Sequence, residues 1–174
     1  PLSLSKRLQG VSFMNKPYIT KVHIIIEVLA GLTALAALTV AIVFAAAEKG
    51  PVPTHYDIQG NADAWGSAWG MAVMPVIMLV SCAGMSLMMH FASPNAWNLG
   101  IRVRPSRKIL IISDACLLMV LLELELAMFS LGFTVVSVLD IGGNACLILT
   151  ALLMISMTAS VVFYFVRANR HNKM

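Results

Sequence analysis

Long apolar runs alternate with short polar connections along the chain. Four runs of mainly apolar residues cover about positions 22–47, 71–92, 109–132 and 141–166. Each run is long enough to cross a hydrocarbon core, which takes about 20 residues of helix. Backbone groups in lipid must be hydrogen-bonded within the protein, and runs of this length satisfy them as helices rather than as barrel strands. The pattern predicts an all-α fold, a single transmembrane domain over residues 1–174 built as a four-span helical bundle.

Composition agrees with this prediction and excludes several classes of protein. Of 174 residues, 59% are hydrophobic and only 11% are charged, far below the roughly 25% charged share of soluble domains. The connections are too short for a separate catalytic domain, so we expect no enzymatic activity, and the expected partner is the lipid bilayer rather than nucleic acid. The three cysteines lie inside apolar runs without the spacing of metal or redox motifs, which indicates packing residues. They are Cys82, Cys116 and Cys146.

The basic residues predict the orientation of the spans. Four precede the first span, one lies in loop 48–70, four lie in loop 93–108, none lies in the third connection and three lie in the tail. The positive-inside rule then places both termini and loop 93–108 in the cytoplasm and loop 48–70 outside, in a multi-pass cell membrane protein of bacterial type. The basic residues of loop 93–108 are candidates for binding anionic lipid or a cytoplasmic regulator, or they only set the topology. They are Arg102, Arg104, Arg107 and Lys108.

The first span has a second interpretation as a cleaved signal peptide, but its apolar run is about twice the 7–15 residues of a signal sequence. The segment before it mixes leucines with Lys6 and Arg7 and predicts an interfacial helix. Small residues at four-residue spacing predict close helix contacts, within the chain or with another subunit. They are Ala37, Ala41 and Ala45 in the first span and Ser156 and Ser160 in the last.

Loop 48–70 is dense in turn formers, aromatic residues and polar side chains. Pro51 and Pro53 favour extended backbone, and the loop glycines permit turns. The composition predicts a compact structured loop that rests on the outer helix ends. His55, Asp57 and Asp63 are candidate ligands of a divalent metal. The alternative is that His55 and Asp63 hydrogen-bond the loop backbone and the helix ends and so fix the turn. No other cofactor is expected.

The loop also carries a family resemblance. The string Pro53-Thr54-His55, followed at fixed spacing by Gly60, Asp63, Trp65, Gly66 and Ser67, resembles the outward loop of the domain-of-unknown-function 1648 family. That family includes membrane proteins similar to the sporulation-delaying-protein immunity protein. The chain departs from the pattern at Asp57, where the family usually has Asn, and at Ala68, where it usually has Lys. The resemblance implies a small helical bundle that resists a membrane-active peptide and signals through a cytoplasmic repressor.

Acidic residues inside the predicted spans are a second candidate site, because carboxylates in lipid are costly. At about 100° per residue, Asp114 and Glu125 fall about 20° apart on one helical face, whereas Glu123 points roughly the other way. Lipid favours the neutral form of an unpaired carboxyl. The two glutamates are therefore hydrogen-bond donors between helices, a proton or cation site, or a docking point for another subunit. His90 is predicted to pair with Asp114, and His23 to approach Glu27.

Three functions follow from these patterns. The first is a non-enzymatic immunity-like membrane protein whose outward loop recognises a peptide ligand, through Pro53, His55, Asp57, Gly60, Asp63 and Trp65. The second is an accessory subunit of a larger membrane complex or a homo-oligomer. The third is a small proton- or cation-coupled transporter, for which the chain lacks the internal repeats typical of transporters.

Overall fold

The computed structural model describes residues 16–174, so the predicted interfacial helix before the first span lies outside the described residues. Four long helices form the bundle: α1 (Lys21–Ala47), α2 (Val73–Phe91), α3 (Lys108–Val138) and α4 (Gly143–Lys173). Two short strands, β1 (Pro51–Tyr56) and β2 (Ala62–Ser67), and a 3-10 helix (Ala68–Ala72) join α1 to α2. The segment between α2 and α3, residues 93–107, contains two further 3-10 turns, Pro94–Ala96 and Pro105–Arg107, and is called the basic loop below. The fold is mostly helical, and the structured loop predicted between the first two spans folds as a β-hairpin.

Three stretches of the described chain are long and apolar enough to cross a membrane, namely Lys21–Ala47, Ala68–Phe91 and Gly143–Lys173. These stretches mark the chain as a membrane protein. Helix α3 is as long as α4, at 31 residues, but is not one of the three, so the four-span count and the orientation stay predictions. The last two helices continue past the predicted span ends at 132 and 166, to Val138 and Lys173, so each helix is longer than the span predicted within it.

Helix α3 lies at the centre of the bundle and packs against the other three helices. Small side chains bring α1 close to it: Ala30 and Ala34 of α1 are buried in one cluster with Ala127 of α3. The predicted alanine stripe is also buried, with exposed fractions of 0–3% at Ala37, Ala41 and Ala45. The stripe therefore serves helix contacts within the chain.

The basic loop packs against the helix ends that it joins. Trp97 meets the ring of Tyr18 edge-on, with 6.4 Å between ring centroids, and both contact the core cluster that contains Met89 and Cys116. The Tyr164 hydroxyl of α4 donates to the carbonyl oxygen of Leu99 at 2.7 Å. These contacts fix the loop against α3 and α4 and close this end of the bundle, which we call the basic end.

Candidate functional site

The hairpin is anchored at its base by one apolar side chain. Val52 of β1 is buried with Ala45 at the end of α1 and Ala68 after β2. The strands pair antiparallel from Pro51 opposite Ser67 up to Tyr56 opposite Ala62, with irregular register around His55. Because α1 ends and α2 begins next to this base, the bundle holds the hairpin in place.

The hairpin turn is organised by the carboxylate of Asp57. Its Oδ1 accepts hydrogen bonds from the backbone N–H groups of Gln59, at 2.9 Å, and Asn61, at 2.8 Å. The Asn61 side chain donates to Oδ2 at 3.2 Å, and Gly60 adopts a positive φ of 85°. These bonds, of which the backbone bond from Asn61 contributes most, hold the pKa of Asp57 below its usual range. Asp57 therefore fixes the turn, a role that the sequence interpretation had assigned to His55 and Asp63.

The tip of the hairpin rests on the first residue of α4. The Gly143 N–H donates to the carbonyl oxygen of Gly60 at 3.3 Å. A Cβ added at Gly143 would lie 2.7 Å from that oxygen and 2.7 Å from Tyr56 Cδ1, and a Cβ at Gly60 would lie 2.5 Å from Asn144 Oδ1. The contact therefore requires glycine on both sides. Burial at this contact raises the pKa of the Tyr56 hydroxyl, and electrostatic interactions with Cys146 and Asp140 raise it further.

His55 and Asp63 form a cross-strand pair, with 2.5 Å between Nδ1 and Oδ1. Both side chains are largely exposed, at 67% and 46%. Within residues 16–174, no group of three His, Cys, Asp or Glu side chains is arranged to hold a metal ion. The proposed metal trio is therefore not brought together, because the carboxylate of Asp57 turns into its own loop.

The hairpin and the 3-10 helix that follows it present three large apolar side chains to the surroundings. Ile58 at the tip is 85% exposed, Trp65 of β2 is 62% exposed and Trp69 is 56% exposed. Tryptophan is enriched at membrane–water interfaces. The hairpin surface thus combines aromatic contact area with the polar pair of His55 and Asp63.

A cavity of about 470 Å³ lies beneath the hairpin. The hairpin forms its roof, α3 its floor, and α2 and α4 its two sides. Its lining is Pro53, Thr54, His55, Tyr56, Gly70, Met71, Val73, Met74, Phe133, Thr134, Ser137, Gly143, Cys146, Leu147 and Thr150. The volume falls within the range of about 300–1,000 Å³ that is usual for small-molecule sites.

Most of the helical wall of this cavity is apolar even where it carries hydroxyl groups. Thr134 Oγ1 donates to the carbonyl oxygen of Ser130 at 2.8 Å, and Thr150 Oγ1 donates to that of Cys146 at 2.9 Å. The hydroxyl hydrogen of each threonine is thus bonded within its own helix and is not free to bond a guest. The roof is different, because His55 and Tyr56 bring polar groups to the cavity.

The acidic residues of α3 lie next to two different helices. Asp114 is 3% exposed and pairs with Arg167 and His171 of α4, each at 2.7 Å. Glu125 accepts a hydrogen bond from Ser160 of α4 at 2.7 Å. The predicted common face of Asp114 and Glu125 is confirmed, since both reach α4.

Glu123 points away from α4, as its position on the helix predicts. Its backbone carbonyl oxygen lies 3.5 Å from the thiol of Cys82 in α2, and its side chain is 1% exposed. Among the described residues, four side-chain atoms are buried without a hydrogen-bond partner: Trp97 Nε1, Glu123 Oε1, Glu125 Oε2 and Ser130 Oγ. Asp114 and Glu125 each have a bonded partner on α4, whereas the Glu123 side chain has none there and its Oε1 is buried without a hydrogen bond.

One predicted pair at the basic end is wrong. His90 pairs with Glu27, at 2.9 Å between Nε2 and Oε2, and not with Asp114; Ser86 also donates to the Glu27 carboxylate. The physical reason is the order of the helices, which sets α2 beside α1 and α4 beside Asp114. His23 accepts the backbone N–H of Thr20 at 3.0 Å, at the start of α1, and the charge of Glu27 acts on it, in agreement with the predicted approach.

The basic loop is tied to α4 by Asn172, whose role the sequence pattern does not indicate. Asn172 accepts the Arg104 N–H at 3.0 Å and donates to the Arg102 carbonyl oxygen at 2.9 Å. The Lys108 ammonium group contacts Asn95 Oδ1 at 2.5 Å, and the side chains of Arg102 and Arg104 are exposed. The loop backbone is therefore fixed, while the side chains of Arg102 and Arg104 remain in solvent.

The sequence pattern did not predict the contact of Gly143 with the hairpin either, although it contains a signal for it. Gly142 and Gly143 form a pair directly before an apolar run, which marks a chain turn and a close approach of backbone. The partner of that approach, Gly60, lies more than 80 residues away. The pattern of one sequence gives no means of joining the two.

Residues 32–79 match the family model described as Domain of unknown function (DUF1648). This DUF1648 segment takes in most of α1, the whole hairpin and the start of α2. The resemblance noted from the outward-loop motif is thereby confirmed for this part of the chain, while the similarity to the immunity protein stays a prediction. No curated protein and no solved structure matches the chain.

Proposed function

We propose that the chain is a non-enzymatic membrane protein that recognises an external membrane-active peptide through its hairpin, as the family resemblance implies. The observation that carries the proposal is the hairpin itself. It is anchored at its base and at its tip, so binding costs little ordering of the backbone. Trp65 of the hairpin and Trp69 just after it are exposed and supply aromatic contacts of the kind enriched in binding surfaces, and Ile58 at the tip adds apolar contact area.

The distribution of charge supports an outward position for the hairpin. Residues 48–72 and 139–142, which we call the hairpin end, contain a single lysine, whereas the basic end is rich in lysine and arginine. The positive-inside rule favours the basic end in the cytoplasm. This orientation requires α3 to cross the membrane as a fourth span, which its length of 31 residues permits.

Labelling with a membrane-impermeant maleimide tests the orientation. In a background without native cysteines, Asp63→Cys is expected to react in intact cells, whereas Arg104→Cys is expected to react only after lysis. Both side chains are exposed, so the difference reports the side of the membrane. Reaction of both in intact cells would contradict the proposed orientation.

Survival of a sensitive host tests recognition. Cells that express the chain are challenged with a panel of amphipathic membrane-active peptides, and protection is compared with that given by Trp65→Ala and Leu139→Ala. Both residues are more than 60% exposed at the hairpin end, but only Trp65 belongs to the hairpin. Loss of protection in Trp65→Ala alone supports the proposal; equal protection by all three forms at equal expression refutes it.

The accessory-subunit alternative has less support, because the alanine stripe of α1 is already buried within the bundle. The transport alternative has one observation in its favour, the buried carboxyl oxygen of Glu123, which lacks a partner among the described residues. Such a group is a typical proton site in transporters. In reconstituted vesicles, Glu123→Gln would abolish proton flux under this alternative, and Glu48→Gln, an exposed acid, is the matched control.

A further inference from the structure

We propose that the cavity beneath the hairpin binds the apolar chain of a single-chain cationic amphiphile, with the positively charged end against the carboxylates of the hairpin end. This proposal goes beyond recognition by the hairpin surface. It holds whether or not that surface binds a peptide.

The shape and chemistry of the cavity favour an apolar chain. Its volume of about 470 Å³ is that of a ligand site rather than of a packing defect. Its sides and floor are formed by side chains such as Met74, Phe133 and Leu147. The wall threonines bond to their own helices, so a polar guest would find few free donors there, and burial of an apolar guest is favoured.

The cavity is accessible from the side of the bundle. Helices α2 and α4 each pack against α3, and the cavity lies between them. Val73 on one side is 56% exposed and Leu147 on the other is 44% exposed. A chain that lies in the membrane therefore reaches the cavity laterally, without passing through the hairpin.

The charges at the hairpin end favour a cationic head group. This part of the described chain holds four carboxylates and one lysine; the carboxylates are Glu48, Asp57, Asp63 and Asp140 and the lysine is Lys49. Two carboxylates lie next to the roof of the cavity. Asp63 is bonded to the lining residue His55, and the charge of Asp140 acts on the lining residue Tyr56. An amphiphile with its tail below the hairpin therefore has its head near negative charge.

Photocrosslinking of the full chain in nanodiscs of zwitterionic lipid tests the proposal. The probes share a dodecyl chain with a terminal diazirine and differ only in the head group, which is trimethylammonium or sulfonate. Mass spectrometry is expected to find crosslinks at residues 71–74 and 143–150, with about ten-fold stronger labelling by the cationic probe. Equal labelling by the two probes, or crosslinks only on other lipid-facing segments, would overturn the proposal.

Two threonines of α4 provide a matched pair of variants. Thr150 and Thr158 both bond to the carbonyl oxygen four residues earlier, but only Thr150 lines the cavity. Thr150→Phe is expected to remove the crosslinks at 143–150, and Thr158→Phe to keep them. Thermal unfolding of both variants controls for loss of fold, and unchanged crosslinking of a folded Thr150→Phe protein overturns the proposal.

A double variant tests whether the carboxylates of Asp63 and Asp140 attract the cationic head group. The double substitution of Asp63 and Asp140 by asparagine keeps the side-chain size and suits the positive φ of 49° at Asp140. It is expected to remove the preference for the cationic probe and to leave labelling by the sulfonate probe unchanged or stronger. A preference that survives the double substitution contradicts the assigned position of the head group. Because this assay does not involve host protection, its failure and that of peptide recognition are distinguishable.

Discussion

The contact between the hairpin tip and α4 makes a quantitative prediction about Gly143→Ala. The added Cβ would lie 2.7 Å from both the Gly60 carbonyl oxygen and Tyr56 Cδ1, so the hairpin has to move away. The lost backbone hydrogen bond costs about 0.5–1.5 kcal/mol, and crowding of a packed contact costs about 1–3 kcal/mol. The docked hairpin should therefore lose about 1.5–4.5 kcal/mol, which raises the population of its undocked form roughly ten-fold to a thousand-fold.

Hydrogen exchange measured by mass spectrometry reads this population directly. Peptides that cover 51–67 should exchange faster in Gly143→Ala by the same factor, whereas peptides from the centre of α3 should be unchanged. Gly84→Ala in α2 is the control, because its Cβ would meet nothing within 4 Å and alanine stabilises a helix by about 0.5–1 kcal/mol. If the hairpin of a folded Gly143→Ala protein exchanges like the original, the glycine contact does not hold it.

Three further predictions concern single side chains. Asp114→Ala removes two charge-assisted bonds to α4, of which the one to arginine is partly exposed to water and is therefore discounted. We expect a loss of about 2–3 kcal/mol in the free energy of unfolding, against under about 0.5 kcal/mol for Arg170→Ala on the exposed surface of α4. The pKa of Asp57 is lowered chiefly by the backbone N–H of Asn61. The stability that the ionised carboxylate gives the hairpin is therefore complete above the unfolded pKa of about 3.9 and is lost as the pH falls through the lower folded value. Protection factors of the hairpin amides should fall in that window, and a similar fall in Asp57→Asn would contradict the assignment. Asn172→Ala frees the backbone of the basic loop, so trypsin should cut that loop faster than in Asn169→Ala, and equal rates would refute the tether.

The sequence predicted helices and helical faces well, because both follow from local periodicity. The apolar runs located the cores of all four helices. The spacing of Asp114 and Glu125 placed them on one face, and both bond to α4. Proline at two positions of β1 correctly indicated extended backbone. In each case the decisive information lies within a few residues along the chain.

Contacts between segments far apart in the chain were predicted poorly. The sequence placed His90 and Asp114 at the same end of the bundle but did not determine which helices are neighbours. The packing of α3 in the centre sends Asp114 to α4 and leaves His90 to Glu27 of α1. The cavity escaped prediction for the same reason, because its lining comes from the hairpin and three helices.

The two ends of the bundle are held together in different ways, and this difference bears on binding. At the basic end, side chains link helix to helix, through Asp114 to α4 and Glu27 to α2, and the basic loop is bonded to Asn172. At the hairpin end, one backbone bond of 3.3 Å joins Gly60 to Gly143, beside the apolar base of the hairpin. Since charge-assisted bonds resist separation more than a single neutral one, a guest in the cavity should displace the hairpin tip before it separates the helices. Ligand binding and the Gly143→Ala substitution should therefore affect the same hairpin amides, and the helices of the basic end should respond to neither.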